Sequence, residues 1–289
     1  MLSQKTKGIL CILSAAFCFA LMNLFLKLSG DIPTLQKAFF RNLVAVVVSL
    51  GLLRKEHIHW DCAKGNWNTV IGRAIGGTIG IFCNFYAIDH LNIADASMLN
   101  KLSPFFAILF SYFLLKEKAK PYQLCCVGVA LLGTCFILKP SGDTLISIPA
   151  FIGMIGGIAA GLAYTLLRKA TGNGVPKAFI IFFFSTFSCL ASVPYCITNY
   201  SPMSLVQLGF LLLTGLAATG GQFSITAAYS FAPARELSVF DYTQVIFAGI
   251  MGFFFLNEVP DLLSVLGYIT IIAAAVFMFL KGKQQPAES

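Results

Sequence analysis

Charge is what this chain has least of. Only 11% of its 289 residues are charged, where a soluble domain of ordinary composition carries about 25%. A soluble fold of this size has too little polar surface to cover itself at that density. Disorder is excluded as well, because it needs low hydrophobicity and high net charge, and 57% of the residues here are hydrophobic. Other absences narrow the field further. No G-x-x-x-x-G-K-[ST] stretch occurs, so the chain carries no nucleotide-hydrolysing loop. Neither H-E-x-x-H nor C-x-x-C is present, and the three histidines stand at positions 57, 59 and 90. The nine cysteines fall in apolar segments, Cys62 apart, and read as small packing residues rather than metal ligands or disulfides. No cofactor is implied. The +8 formal charge would suggest nucleic acid on a soluble protein. On a chain this apolar it suggests no nucleic-acid partner and asks instead which side of a bilayer the cations occupy.

What is present is a series of helix-length apolar runs. About 20 residues cross about 30 Å of hydrocarbon, and ten runs qualify: 8–28, 36–53, 69–89, 94–115, 121–138, 149–167, 178–197, 205–229, 235–256 and 261–280. They predict an all-α polytopic membrane protein whose partners are the lipid bilayer and a small-molecule substrate. With the N-terminus inside, Lys27, Lys37 and Lys139 fall outside and Arg41, Arg73 and Lys101 within spans. The other fourteen cations fall on the inner side. This asymmetry obeys the positive-inside rule and places both termini in the cytoplasm. Short loops and no strand-like alternation point to a bacterial cytoplasmic membrane, with an organelle membrane as the alternative.

The halves align with each other. Phe113-Leu114-Leu115-Lys116-Glu117 matches Phe254-Phe255-Leu256-Asn257-Glu258, Gly128 matches Gly267, and Gly72 with Tyr86 matches Gly215 with Tyr229. Lys27 to Gly30 matches Lys169 to Gly172, and Lys37-Ala38-Phe39 matches Lys177-Ala178-Phe179. Five spans per half is an odd number, so the repeats, 1–140 and 141–289, are expected to be inverted. Inverted repeats are the architecture of alternating-access carriers with a site near the midplane.

The chain also resembles the drug/metabolite transporter superfamily, in particular its ten-span EamA type. The resemblance rests on Phe39-Phe40-Arg41, Gly72-Arg73, Pro104, the Glu117 terminus, Gly128 and Gly133, then Tyr242 to Phe247 and Phe255-Leu256-Asn257-Glu258. It implies a secondary carrier of small metabolites, and the C-terminal stretch is similar to S-adenosylmethionine uptake-like members. The repeat departs from itself at two places: Ile181 stands opposite Arg41, and Val245 opposite Pro104.

Ionisable residues within spans are costly and mark functional sites. Asp241, about 10 Å into the ninth span at 1.5 Å per residue, is read as a site for a cationic substrate group or a coupling proton, or else as half of a structural ion pair. Asn100 aligns with Asp241, and Lys101 with Tyr242. Depth counting puts about 12 Å between Lys101 and Asp241, so the expectation is two polar rungs along one pathway, with snorkelling the alternative for Lys101. Arg41 and Arg73 either snorkel or clamp an anionic group. Asn23, Asn84, Gln222 and Gln244 either bond helix to helix or touch substrate. Of the tyrosines, Tyr164 and Tyr242 are favoured over Tyr86 and Tyr229 for a substrate contact, and Phe19 is a possible cavity wall. Pro104 is expected to kink the fourth span and support rocking, and the glycines crowding the third, sixth and eighth spans to let helices approach or slide. The leading function is a secondary transporter of a small polar metabolite, amino-acid-like or S-adenosylmethionine-like. The alternative is a polytopic membrane enzyme such as a lipid-modifying transferase, for which only His57, His59 and Asp61 offer catalytic groups.

Overall fold

The computed structural model describes residues 4–116, 121–138, 147–231 and 240–283. Among these every regular element is helical. The helices are α1 (Gln4–Leu28), α2 (Thr34–Lys55), α3 (Trp67–His90), α4 (Ile93–Asn100), α5 (Ser103–Leu115), α6 (Pro121–Leu138), α7 (Ile148–Gly172), α8 (Lys177–Thr198), α9 (Leu205–Phe231), α10 (Thr243–Leu256) and α11 (Leu262–Lys283). A short 3-10 turn, Trp60–Ala63, lies in the connection between α2 and α3. Eight stretches are long and apolar enough to cross a bilayer, one of them α4 and α5 taken together, and α6 and α10 are shorter apolar helices. Glu117, Lys118, Lys120, Lys139 and Arg235 lie outside the described residues, as does the Tyr229 side chain.

A chain in hydrocarbon must satisfy its polar groups internally, and hydroxyls here turn back onto their own helices. Thr134 donates to the Ala130 carbonyl at 2.8 Å, Thr219 to Gly215 at 2.8 Å and Ser192 to Ser188 at 2.8 Å. Each hydroxyl is thereby hidden at no cost in helix–helix contact.

Helix pairing follows a regular pattern. α1 lies against α9, and α3 against α7; α2 contacts α9, and α3 contacts α8; α1 contacts α10, and α5 contacts α7. Exchanging each helix for its counterpart in the other half converts the first member of each set into the second. α2 with α8 and α6 with α11 pair counterpart with counterpart. The ends of α5 and α10 agree as well. Lys116 and Asn257, matched in sequence, both cap their helices in the left-handed region, at φ 57° and 54°.

Small residues make these approaches possible. A Cβ on Gly157 would stand 2.5 Å from the Leu99 carbonyl oxygen, and one on Gly161 2.7 Å from the Phe106 Cβ. α7 therefore presses its glycine face onto the junction of α4 and α5. Between α6 and α11 the contact is reciprocal: a Cβ on Gly133 meets Ile271 at 2.9 Å, and one on Gly267 meets Ile137 at 2.7 Å. Gly128, matched to Gly267 by spacing, has nothing within 4 Å. Gly133 is thus the packing equivalent of Gly267, because helix crossing and not distance from the span end decides where a glycine is needed.

Gly157→Ala is expected to lower stability by about 1–3 kcal/mol, since a carbonyl on a neighbouring backbone cannot step aside as a side chain can. Gly128→Ala should leave the melting temperature unchanged or raise it. Thermal unfolding of the two variants in one detergent checks the contrast.

Candidate functional site

The fourth span is interrupted at its centre. α4 stops at Asn100 and α5 starts at Ser103. At the junction the Leu102 amide reaches the Leu99 carbonyl at 3.2 Å and Phe105 reaches Leu102 at 3.0 Å, so the ladder tightens to a 3-10 pattern. Pro104 occupies the first turn of α5, where a missing N–H costs nothing. It restarts a helix; it does not kink one, which corrects the sequence expectation. With the ladder displaced, the Lys101 carbonyl is freed, and the Tyr242 hydroxyl donates to it at 3.1 Å. Tyr242 itself sits at the matching interruption of the other half. Phe240 and Asp241 are helical, Tyr242 is a turn, and α10 follows from Thr243.

The two interruptions meet. Lys101 Nζ lies 2.6 Å from Asp241 Oδ2, and the side chains are 8% and 9% exposed. The expectation of two separate rungs is thus wrong. Counting depth at a constant rise assumed straight helices, whereas both spans break at these residues and bring them level. Asp241 Oδ1 is buried without a hydrogen bond, so one lone-pair face of the carboxylate remains unused by the protein.

Next to this pair is a cavity of about 80 Å³, well under the roughly 300–1,000 Å³ of a filled ligand pocket, so the site is contracted. Its walls include Arg41, Arg73, Asn84, Asn100, Lys101, Tyr164, Gln222 and Gln244 from α2, α3, α4, α7, α9, α10 and the α4–α5 junction, with Phe19 on the α1 side. Most of the residues singled out in the sequence therefore converge on one space. Three do not line it. Tyr242 and Asp241 stand behind Lys101, and Asn23 is engaged between helices, donating to Ser97 Oγ at 2.9 Å. Neither arginine snorkels. Arg41 and Arg73 are 3% and 4% exposed, because each starts about 10 Å along its helix from opposite ends of the bundle and reaches inward. Arg41 donates to Asn42 Oδ1 at 2.6 Å. Arg73 lays its guanidinium over the Phe184 ring, 4.4 Å from the centroid. Gly77 makes this possible, for a Cβ there would stand 2.1 Å from Arg73 Nη1 and 2.7 Å from the Phe184 ring.

Sequence reasoning missed the charges that tie the end of the bundle where α1 ends and α2 begins. Lys37, counted as an outer cation, is buried and pairs with Asp89 at 2.5 Å, and Thr34 donates to the same carboxylate at 2.9 Å. Lys27 bridges to Glu258, whose Oε2 accepts the Ile93 amide at 2.8 Å and so holds the first turn of α4. Asp95, not singled out from the sequence, is buried and accepts the Tyr268 hydroxyl at 2.6 Å. The available signal was the recurrence of acids at 89, 95 and 258 opposite basic or hydroxyl residues at span ends. His57, His59 and Asp61 stand exposed in the α2–α3 connection.

Asp241→Asn would leave the Lys101 ammonium buried without a counter-ion and should cost about 3–5 kcal/mol. The double variant Lys101→Met with Asp241→Leu should recover most of that loss. Denaturation of the single and double variants measures the difference.

Comparison with known proteins agrees with this architecture. The model of the EamA-like transporter family matches residues 6–139 and again 147–280. The pseudopaline exporter CntI of Pseudomonas aeruginosa (strain UCBPP-PA14) is 30% identical over 278 residues, covering 96% of this chain and 97% of that one. Human solute carrier family 35 member G1 is 25% identical, over 93% of this chain and 78% of its own. A solved crystal structure with 14% identity covers 97% of this chain and all of its own at a TM-score of 0.69, which shows the shared fold. The family is one of transporters and CntI is named an exporter, and the reading as a lipid-modifying enzyme falls with them. The chain is a multi-pass membrane protein that belongs to the EamA-like transporter family.

Proposed function

We propose that the protein is a secondary carrier that moves a small polar metabolite across the bacterial cytoplasmic membrane by alternating access. It is built as two inverted repeats, 1–140 and 141–289, with both termini in the cytoplasm. The observation that carries this reading is the pair of interruptions at Lys101–Leu102 and Tyr242, which face each other beside a polar cavity. Broken helices at the midplane are how carriers build substrate sites without exposing backbone to lipid. The exchangeable helix pairings support the repeat, since two packings of near-equal energy are what such a repeat offers.

The ion pairs Lys27–Glu258 and Lys37–Asp89 tie together α1, α2, α3, α4 and the segment after α10 at one end. By the distribution of cations this end is the outer one. Closure there, with a contracted cavity, supports an occluded or inward-facing state as the one seen. The cavity walls combine amides, a tyrosine and cations and suit an amino-acid-like solute. A sulfonium cation such as S-adenosylmethionine is served less well, because cations outnumber acids around the cavity.

Proteoliposomes preloaded with a mixed amino-acid pool should accumulate labelled solute by counterflow without ATP. Accumulation that depends on ATP, or none from correctly folded protein, would count against a secondary carrier.

A further inference from the structure

Two guanidiniums in this cavity are buried without a counter-ion, and that sets them apart from the other buried cations. Lys37 has Asp89 and Lys101 has Asp241. Among the described residues, Arg41 and Arg73 form no ion pair with any carboxylate, and no Asp or Glu lines the cavity. Arg41 Nε, Arg73 Nε and Arg73 Nη1 are buried with no hydrogen-bond partner. The two positive charges line the same cavity. With Lys101 neutralised by Asp241, the site holds an excess of two positive charges.

A protein does not keep such charges in place for stability. Burying an unpaired charge is costly, and an arginine serving only to join helices would have carbonyls or a carboxylate at its N–H edge. Here Nε of Arg41 and Nε and Nη1 of Arg73 have neither, and the bond Arg41 does make goes to the neutral Asn42 side chain. The Arg73 guanidinium carbon lies over the Phe184 ring, 4.4 Å from its centroid, in a space that exists only because residue 77 is glycine. A guanidinium that meets an aromatic ring and leaves Nε and Nη1 unbonded has N–H donors available for bidentate bonding to an oxyanion.

We infer that Arg41 and Arg73 together bind a doubly negative group of the transported solute, a dicarboxylate or a phosphomonoester. The inference deepens the carrier reading and rests on it for the word transported; the anion site itself stands on the geometry. Both ligand types share the chemistry of two negative charges spread over oxygens, and Lys101–Asp241 remains paired beside them. An acidic amino acid or another dicarboxylate fits the amides Asn84, Gln222 and Gln244 on the remaining walls.

The test uses the full-length protein in nanodiscs, with thermal unfolding followed in succinate, in inorganic phosphate and in the neutral diamide of succinic acid. Succinate or phosphate should raise the Tm of the wild type, the diamide should not, and Arg41→Gln or Arg73→Gln should abolish the shift. Which anion acts identifies the source of the two charges. Without ligand, each variant should melt at or above the wild type, because an unpaired buried charge has been removed. The inference is overturned if neither anion shifts the Tm, if the diamide works equally well, if the shift survives in the double variant, or if both single variants melt lower in the absence of ligand. Counterflow separates the two claims. Anion binding without counterflow keeps the site and rejects the carrier, whereas counterflow of a neutral or cationic solute without anion binding keeps the carrier and rejects the site.

Discussion

One buried ion pair sets the terms for the rest of the molecule. Lys101 and Asp241 meet where the fourth and ninth spans are both broken. A charge pair in low dielectric is tolerable only when geometry is good and neighbouring groups are satisfied. Meeting that condition requires the interruptions to lie at the same level, which in turn requires α7 to press close against the α4–α5 junction. Gly157 and Gly161 permit this by placing no side chain between α7 and the backbone of Leu99 and Ser103. The cavity is the space left beside the pair once these demands are met.

The distribution of polar contacts divides the molecule into two kinds of region. At the end where α1 ends and α2 begins, every buried charge among the described residues has a partner and several helices are tied by single carboxylates; Glu258 alone holds Lys27 and the first turn of α4. In and beside the cavity, partners are withheld: three guanidinium nitrogens lining it and one carboxylate oxygen of Asp241 behind Lys101 are left without hydrogen bonds. Saturation at the end gives a rigid closure, and undersaturation in the middle leaves bonding capacity that only a solute or water can fill.

Much of the fold was legible before any coordinates. Ten apolar runs were readable because hydrocarbon thickness imposes a length on each crossing and charges are expelled to the ends. Arg41, Arg73, Asn84, Gln222 and Gln244 were legible as inward-facing residues, because polar groups are expensive in that setting, and they line one cavity. What escaped was whatever depended on departure from a straight helix. Pro104 announced the first interruption, but nothing at Val245 announced the second, where the break rests on Tyr242 turning to reach the Lys101 carbonyl. Lys37 and Asp95 escaped because a count from span ends assigns them to the interface, whereas their neighbours bury them against Asp89 and Tyr268.

The contact between Tyr242 and Lys101 also bears on how the protein is made. Lys101 is separated from Asp241 by 140 residues, and a ribosome adding about 5–20 residues per second needs roughly 7 to 28 s to supply them. For that time the first half stands in or near the bilayer with an unpaired ammonium and a carbonyl stripped of its helical bond. The ninth span thus completes the fourth. Its arrival supplies the carboxylate for that ammonium and the hydroxyl for that carbonyl.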